Sequence, residues 1–85
     1  MNSYYLDVIT DLKQRRDDAE RNYQAARKEW ERERIKMNNL IEAGDYGQEF
    51  SDASNNVTSL FDYMTRLDEE STSIFACYRA IEKLA

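Results

Sequence analysis

Ala43-Gly44-Asp45-Tyr46-Gly47-Gln48 lies at the midpoint of an 85-residue chain and holds both of its glycines; proline is absent throughout. Gly44 supplies the left-handed residue that commonly closes a helix, and Asp45 with Gln48 three positions on has the form of a capping box that opens one. On either side of this break the apolar residues recur in steps of four and three. Upstream the seam is Tyr5, Ile9, Leu12, Arg16, Ala19, Tyr23, Ala26, Trp30, Glu33, Met37 and Leu40. Downstream it is Phe50, Ala53, Val57, Leu60, Met64, Leu67, Ser71, Ile74, Tyr78, Ile81 and Ala85. Only Arg16, Glu33 and Ser71 interrupt it. Two heptad seams of equal length around a tight turn predict an all-α fold, a long antiparallel two-helix coiled-coil hairpin. Positions equidistant from Asp45 then face one another: Leu40 with Phe50, Met37 with Ala53, Trp30 with Leu60, Ala26 with Met64, Leu12 with Tyr78. Large meets small in several of these layers, as interdigitation requires. Trp30 and Leu60 are expected in the core, and Ile35 on the outer face.

This reading makes residues 1–85 a single helical-hairpin domain, with helix one over about 3–43, a turn at 44–47 and helix two over about 48–84. Asn2 or Ser3 is the expected cap of helix one. The run Asp68-Glu69-Glu70-Ser71-Thr72-Ser73 supplies an alternative. Serine and threonine compete for helical hydrogen bonds and acids suit a helix start, which makes a three-helix bundle with a break near Ser71 the alternative architecture. The heptad phase passes through Ser71 unbroken and favours one continuous helix. A hairpin of this size buries little, and a dimer forming a four-helix bundle would enlarge its core.

The chain carries 12 basic and 17 acidic residues, a formal charge of −5. Residues 1–42 balance at nine of each, whereas residues 43–85 hold three basic and eight acidic side chains, so the excess acid lies on helix two. That excess disfavours nucleic acid and anionic membrane as direct partners, because phosphate binding draws on Lys and Arg. The single cysteine, Cys77, has no internal disulfide partner, the chain starts with no basic and apolar leader, and no apolar run reaches membrane-spanning length. A cytoplasmic location is the expectation.

Histidine is absent. That removes Ser-His and Cys-His nucleophile pairs, Cys/His zinc sites and the Glu-x-x-His di-iron motif. The turn lacks the alternating oxygen ligands of a calcium loop, and no glycine-rich phosphate loop is present. The carboxylate pairs Asp7/Asp11 and Glu29/Glu33 have helical spacing, but a two-helix hairpin offers them no catalytic pocket. No enzyme activity, cofactor, metal or small-molecule ligand is expected. Around Trp30 the run Arg27-Lys28-Glu29-Trp30-Glu31-Arg32-Glu33-Arg34-Ile35-Lys36 mixes bases with acids. It reads as a solvated face with ion pairs one turn apart rather than a base-stacking patch. Asn56-Val57-Thr58 matches a glycosylation acceptor pattern that falls within a helix. Arg16 and Glu33 either lay their methylenes along the seam with the charge outside, or fix register and partner choice.

Function is expected on the apolar surface left outside the seam. Helix two carries Phe61 and Phe75 on one flank and Tyr63, Cys77 and Leu84 on the other. Near the open end of the hairpin Tyr4, Leu6 and Val8 join Phe75, Cys77, Tyr78 and Leu84. Such a widened stripe implies further helices packed on it, from another protein or from a second copy of the chain. Asp62, Asp68, Glu69, Glu70 and Glu82 make helix two a negative face.

In size, acidity and hairpin architecture the chain resembles small phage or mobile-element inhibitors of host defence enzymes, of the anti-CRISPR kind. It also resembles the small hairpin co-chaperones of type III secretion needles. The first resemblance implies an acidic surface that blocks a basic nucleic-acid site, the second a chaperone that shields an aggregation-prone helix. The Trp-x-Gly turn of secreted helical hairpins is absent, since Trp30 lies well inside helix one. The leading expectation is a non-enzymatic protein-binding module that engages a partner or itself through Phe61, Tyr63, Phe75, Cys77, Tyr78 and Leu84, with Asp62, Asp68, Glu69 and Glu70 as an acidic complement.

Overall fold

The computed structural model describes residues 3–84 and consists of two long helices, α1 (Ser3–Glu42) and α2 (Gln48–Leu84), folded back on each other as a hairpin. The candidate cap Asn2 and the last seam residue Ala85 lie outside the described residues. The rod measures 62 × 15 × 15 Å, the length that 40 helical residues impose at about 1.5 Å each. α2 runs unbroken through Asp68 to Ser73, so the three-helix alternative does not form. Thr72, inside this run, turns its hydroxyl back onto the Asp68 carbonyl at 3.0 Å, which satisfies the group within the helix. No helix among the described residues is long and apolar enough to cross a membrane.

The turn closes α1 as the glycine predicts. Gly44 has φ +69°, its N–H donates to the Ile41 carbonyl at 3.0 Å, and the Asp45 N–H donates to the Leu40 carbonyl at 2.9 Å. These two bonds are the Schellman arrangement, which occupies carbonyls that the helix end would otherwise strand. The expected capping box is not formed. Gly47 occupies the cap position of α2, its carbonyl accepting the Ser51 N–H at 3.1 Å. Asp45 is therefore two residues too early to reach the first turn, and accepts the Gly47 N–H at 3.1 Å instead. Gln48 reaches forward, donating to Asp52 at 2.8 Å. Tyr46 packs edge-on against Phe50 with ring centroids 5.2 Å apart and covers this end of the seam.

The core follows the heptad seam. Among the residues whose side chains are described, every seam position except Arg16 is buried or half-buried; off the seam only Val8, Asp18 and Ser54 share that status. Among the described residues the most buried are Ala19, Ala26, Ala53, Met64, Leu67 and Ile74. Alanines on α1 leave room for longer side chains from α2, and each of those large side chains gains roughly 1.5–3 kcal/mol by leaving water. Trp30 and Leu60 are only half-buried, because two helices seal a line rather than a volume and wide side chains protrude past it. Ile35 is exposed, as its outer position requires.

The two charged seam residues diverge. Arg16 leaves the seam, its side chain 54% exposed and 3.8 Å from Asp17. Glu33 stays half-buried, with Oε2 shielded from solvent and without a hydrogen-bond partner in the protein. The ion pairs of α1 are local and exposed: Arg15 with Asp11 at 3.0 Å, Arg27 with Glu31 at 3.6 Å, and Arg21 with Asp18. Such pairs add little to stability. Arg34 does not pair with Glu29 or Glu31 but lies over the Trp30 ring, 5.1 Å from its centroid.

Candidate protein-docking face

Helical periodicity distributes the expected partner-binding residues over three sides of α2. Phe61, Asp68 and Phe75 recur every seven residues on one flank, and Tyr63, Glu70, Cys77 and Leu84 do so on the other. Asp62 and Glu69 occupy the outer surface between them, and Tyr78 belongs to the seam, where it is half-buried. All the remaining members are exposed, with Phe61 at 57%, Phe75 at 56% and Leu84 at 71%. They do not converge into one site. At the open end Tyr4 and Leu6 are exposed and Val8 half-buried, with Tyr4 meeting Tyr5 edge-on at 5.8 Å.

The first flank is the one with relief. Leu12, Lys13 and Arg16 on α1 and Ile74, Phe75, Tyr78, Arg79 and Glu82 on α2 line a groove of about 300 Å³. A second concavity of about 190 Å³ lies further along the same flank, bounded by Tyr23, Phe61, Met64, Thr65 and Asp68. The groove owes its depth to Arg16. A core-sized apolar side chain at that position would fill the space beside Ile74, whereas the arginine swings out and leaves the floor open. The rim carries three cations against one acid, in a chain that is acidic overall. Lys13 and Arg79 form no ion pair among the described residues; the Arg79 guanidinium lies over the Phe75 ring, 5.9 Å from its centroid. An apolar floor with a cationic rim suits a side-chain cluster that presents an apolar group next to carboxylates.

A third concavity, about 280 Å³, opens on the opposite flank between Glu29, Glu33, Asn56, Ser59 and Leu60. Its polar walls and single large apolar residue give a partner little to bury. Among the described residues no three carboxylate or thiol groups converge to hold a metal ion. Cys77 is an exposed free thiol.

Phe61 and Phe75 were legible in the sequence as surplus apolar residues, and Asp68 as part of the acidic stretch. The cationic rim was not. Its signal was present in Arg16, a charge at a seam position, with Lys13 and Arg79 at neighbouring flank positions; only the folded hairpin brings the three to one groove. Searched against protein families, curated proteins and solved structures, the chain finds no match.

Proposed function

We propose that the hairpin is a non-enzymatic protein-docking module whose working surface is the Phe61–Phe75 flank of α2 together with the cationic groove at the open end. The observation that supports this most strongly is the exposure of two phenylalanines on one flank, each beside a concavity, where the opposite flank of α1 is charged. Burying either ring against a partner would gain roughly 1.5–3 kcal/mol before association costs. The absence of histidine from the sequence argues in the same direction, since the commonest acid-base group is missing.

The test compares the immobilised wild type with Phe61→Asp and Phe75→Asp for self-association and for capture from an extract of the native host, with Ile35→Ser as an exposed apolar control on the outer face. Loss of association in the two phenylalanine variants alone supports the assignment. Behaviour identical to wild type in all three removes it.

A second reading rests on Asp62, Asp68, Glu69 and Glu70, which are exposed and form no ion pairs among the described residues. Such a surface suits an inhibitor that covers a basic nucleic-acid site. Charge reversal at Asp68, Glu69 and Glu70 separates the readings: it abolishes inhibition of that kind and leaves purely apolar docking in place.

A further inference from the structure

The flank that bears Phe61 and Phe75 is prepared for burial over more than the two rings. Between and beside them stand Thr58, Thr65 and Thr72, and each hydroxyl donates to the carbonyl four residues earlier, at 3.1, 3.0 and 3.0 Å. A surface laid over these threonines strands no donor, so the usual cost of covering a hydroxyl is already met within the helix. The stripe then alternates small and large residues in steps of three and four, the pattern of a second heptad seam. It carries two anions, Asp68 and Glu82, and one cation, Arg79.

The surface area of the chain is also large for its mass. A compact 10.1 kDa monomer exposes about 5300 Å² by the usual scaling, and this rod exposes 6394 Å². The surplus is on the order of 1000 Å², comparable with the roughly 800 Å² that one partner contributes to a standard stable interface.

We propose that a second copy of this chain covers the stripe from Thr65 to Glu82, with the two α2 helices antiparallel about a two-fold axis, so that Phe75 lies on the partner's Thr72, Arg79 meets the partner's Asp68 and Glu82 lies on the partner's Thr65, while Phe61 stays outside this contact. One register satisfies both pairs, because Thr72 with Phe75 and Asp68 with Arg79 are symmetric about the same point, between Ser73 and Ile74. The two-fold axis repeats each contact, giving two aromatic-on-small layers and two opposite-charge layers. Sliding the partner by one heptad would set Asp68 on the partner's Thr72 and Arg79 on the partner's Phe61, leaving no ion pair on the stripe. In the proposed register the incoming acidic stretch lies in the groove whose other wall is Lys13 and Arg16, so the excess acid of one α2 answers the cationic rim of the other copy.

This inference rests on the docking flank proposed above, and the experiment distinguishes the two. Sedimentation equilibrium is measured for the wild type, Arg79→Glu, Asp68→Arg, the double swap Arg79→Glu/Asp68→Arg, and Phe75→Asp. Every substituted residue is exposed, and helicity by circular dichroism confirms that each variant folds. The expected result is a wild-type mass of twice the chain, a dissociation constant raised about tenfold or more by either single reversal, and recovery in the double swap. A dimer broken by Phe75→Asp but indifferent to the charge reversals overturns the register and leaves the flank standing. A wild type that stays monomeric at every concentration overturns the second copy as occupant. A dimer untouched by Phe75→Asp overturns both the register and the flank.

Discussion

Trp30 and Glu33 stand one helical turn apart on α1, and each shields a polar atom, Nε1 and Oε2, that meets no hydrogen-bond partner in the protein. A seam that shelters such groups forgoes stability, because desolvation is uncompensated. Replacing Glu33 by methionine, which keeps the length and removes the carboxylate, is expected to raise stability by about 1 kcal/mol. Urea denaturation checks this as an increased midpoint at unchanged slope. The native mass is expected to stay unaltered, which would exclude a register-setting role for Glu33.

Leu67 and Ile74 are the large aliphatic side chains most removed from water, at 6% and 7% exposure. Truncation of either to alanine is expected to cost about 2–4 kcal/mol, since neighbouring side chains on a two-helix seam relax only in part. Leu60→Ala, at a half-buried position, is expected to cost about 1–2 kcal/mol, and Ile35→Ser to fall within about 0.5 kcal/mol of the wild type. Thermal melts of the four variants give the ranking; equal losses in all four would mean the burial pattern is wrong.

Gly44 adopts φ +69° in open space, for an added Cβ would meet nothing within 4 Å. The cost of Gly44→Ala is therefore conformational and is expected to be about 1–2 kcal/mol, with Gly44→Asn costing less. Gly47 has an ordinary backbone conformation, and a Cβ there would come within 3.3 Å of the Asp45 carboxylate. Gly47→Ala disturbs a movable side chain rather than the backbone, and a smaller drop in melting temperature than for Gly44→Ala is the expected outcome.

The Arg15–Asp11 pair is short, yet its side chains are 64% and 60% exposed. Solvent and salt screen a pair of this kind, so Asp11→Ala is expected to leave the urea midpoint essentially unmoved at physiological ionic strength. A clear loss would show that α1 depends on its surface charge ladder.

Much of this architecture was legible in the order of residues. Gly44 marked the end of α1, the steps of three and four marked the seam, and the absence of a phase break at Ser71 marked α2 as continuous. Each is a local property, set by backbone conformation or by helical periodicity over a few turns, and survives whatever the rest of the chain does. Asp45 and Gln48 show where such reading stops. Their spacing fitted a capping box, but two further residues taken up by the turn moved the cap to Gly47, and the two side chains found other partners.

The sequence by itself determined two helices, the place where the chain reverses and the face each helix turns inward, because periodicity and glycine chemistry act between near neighbours. The tertiary structure alone decided which seam residues lose their water and which charges come together. Arg16 and Glu33 occupy equivalent kinds of position, yet one swings out to frame a groove with Lys13 and Arg79 while the other stays half-buried. That difference depends on the space left by residues across the seam, Ile74 in one case and Val57 with Leu60 in the other. No local pattern encodes it, since the distance between two helices is settled only when both are present.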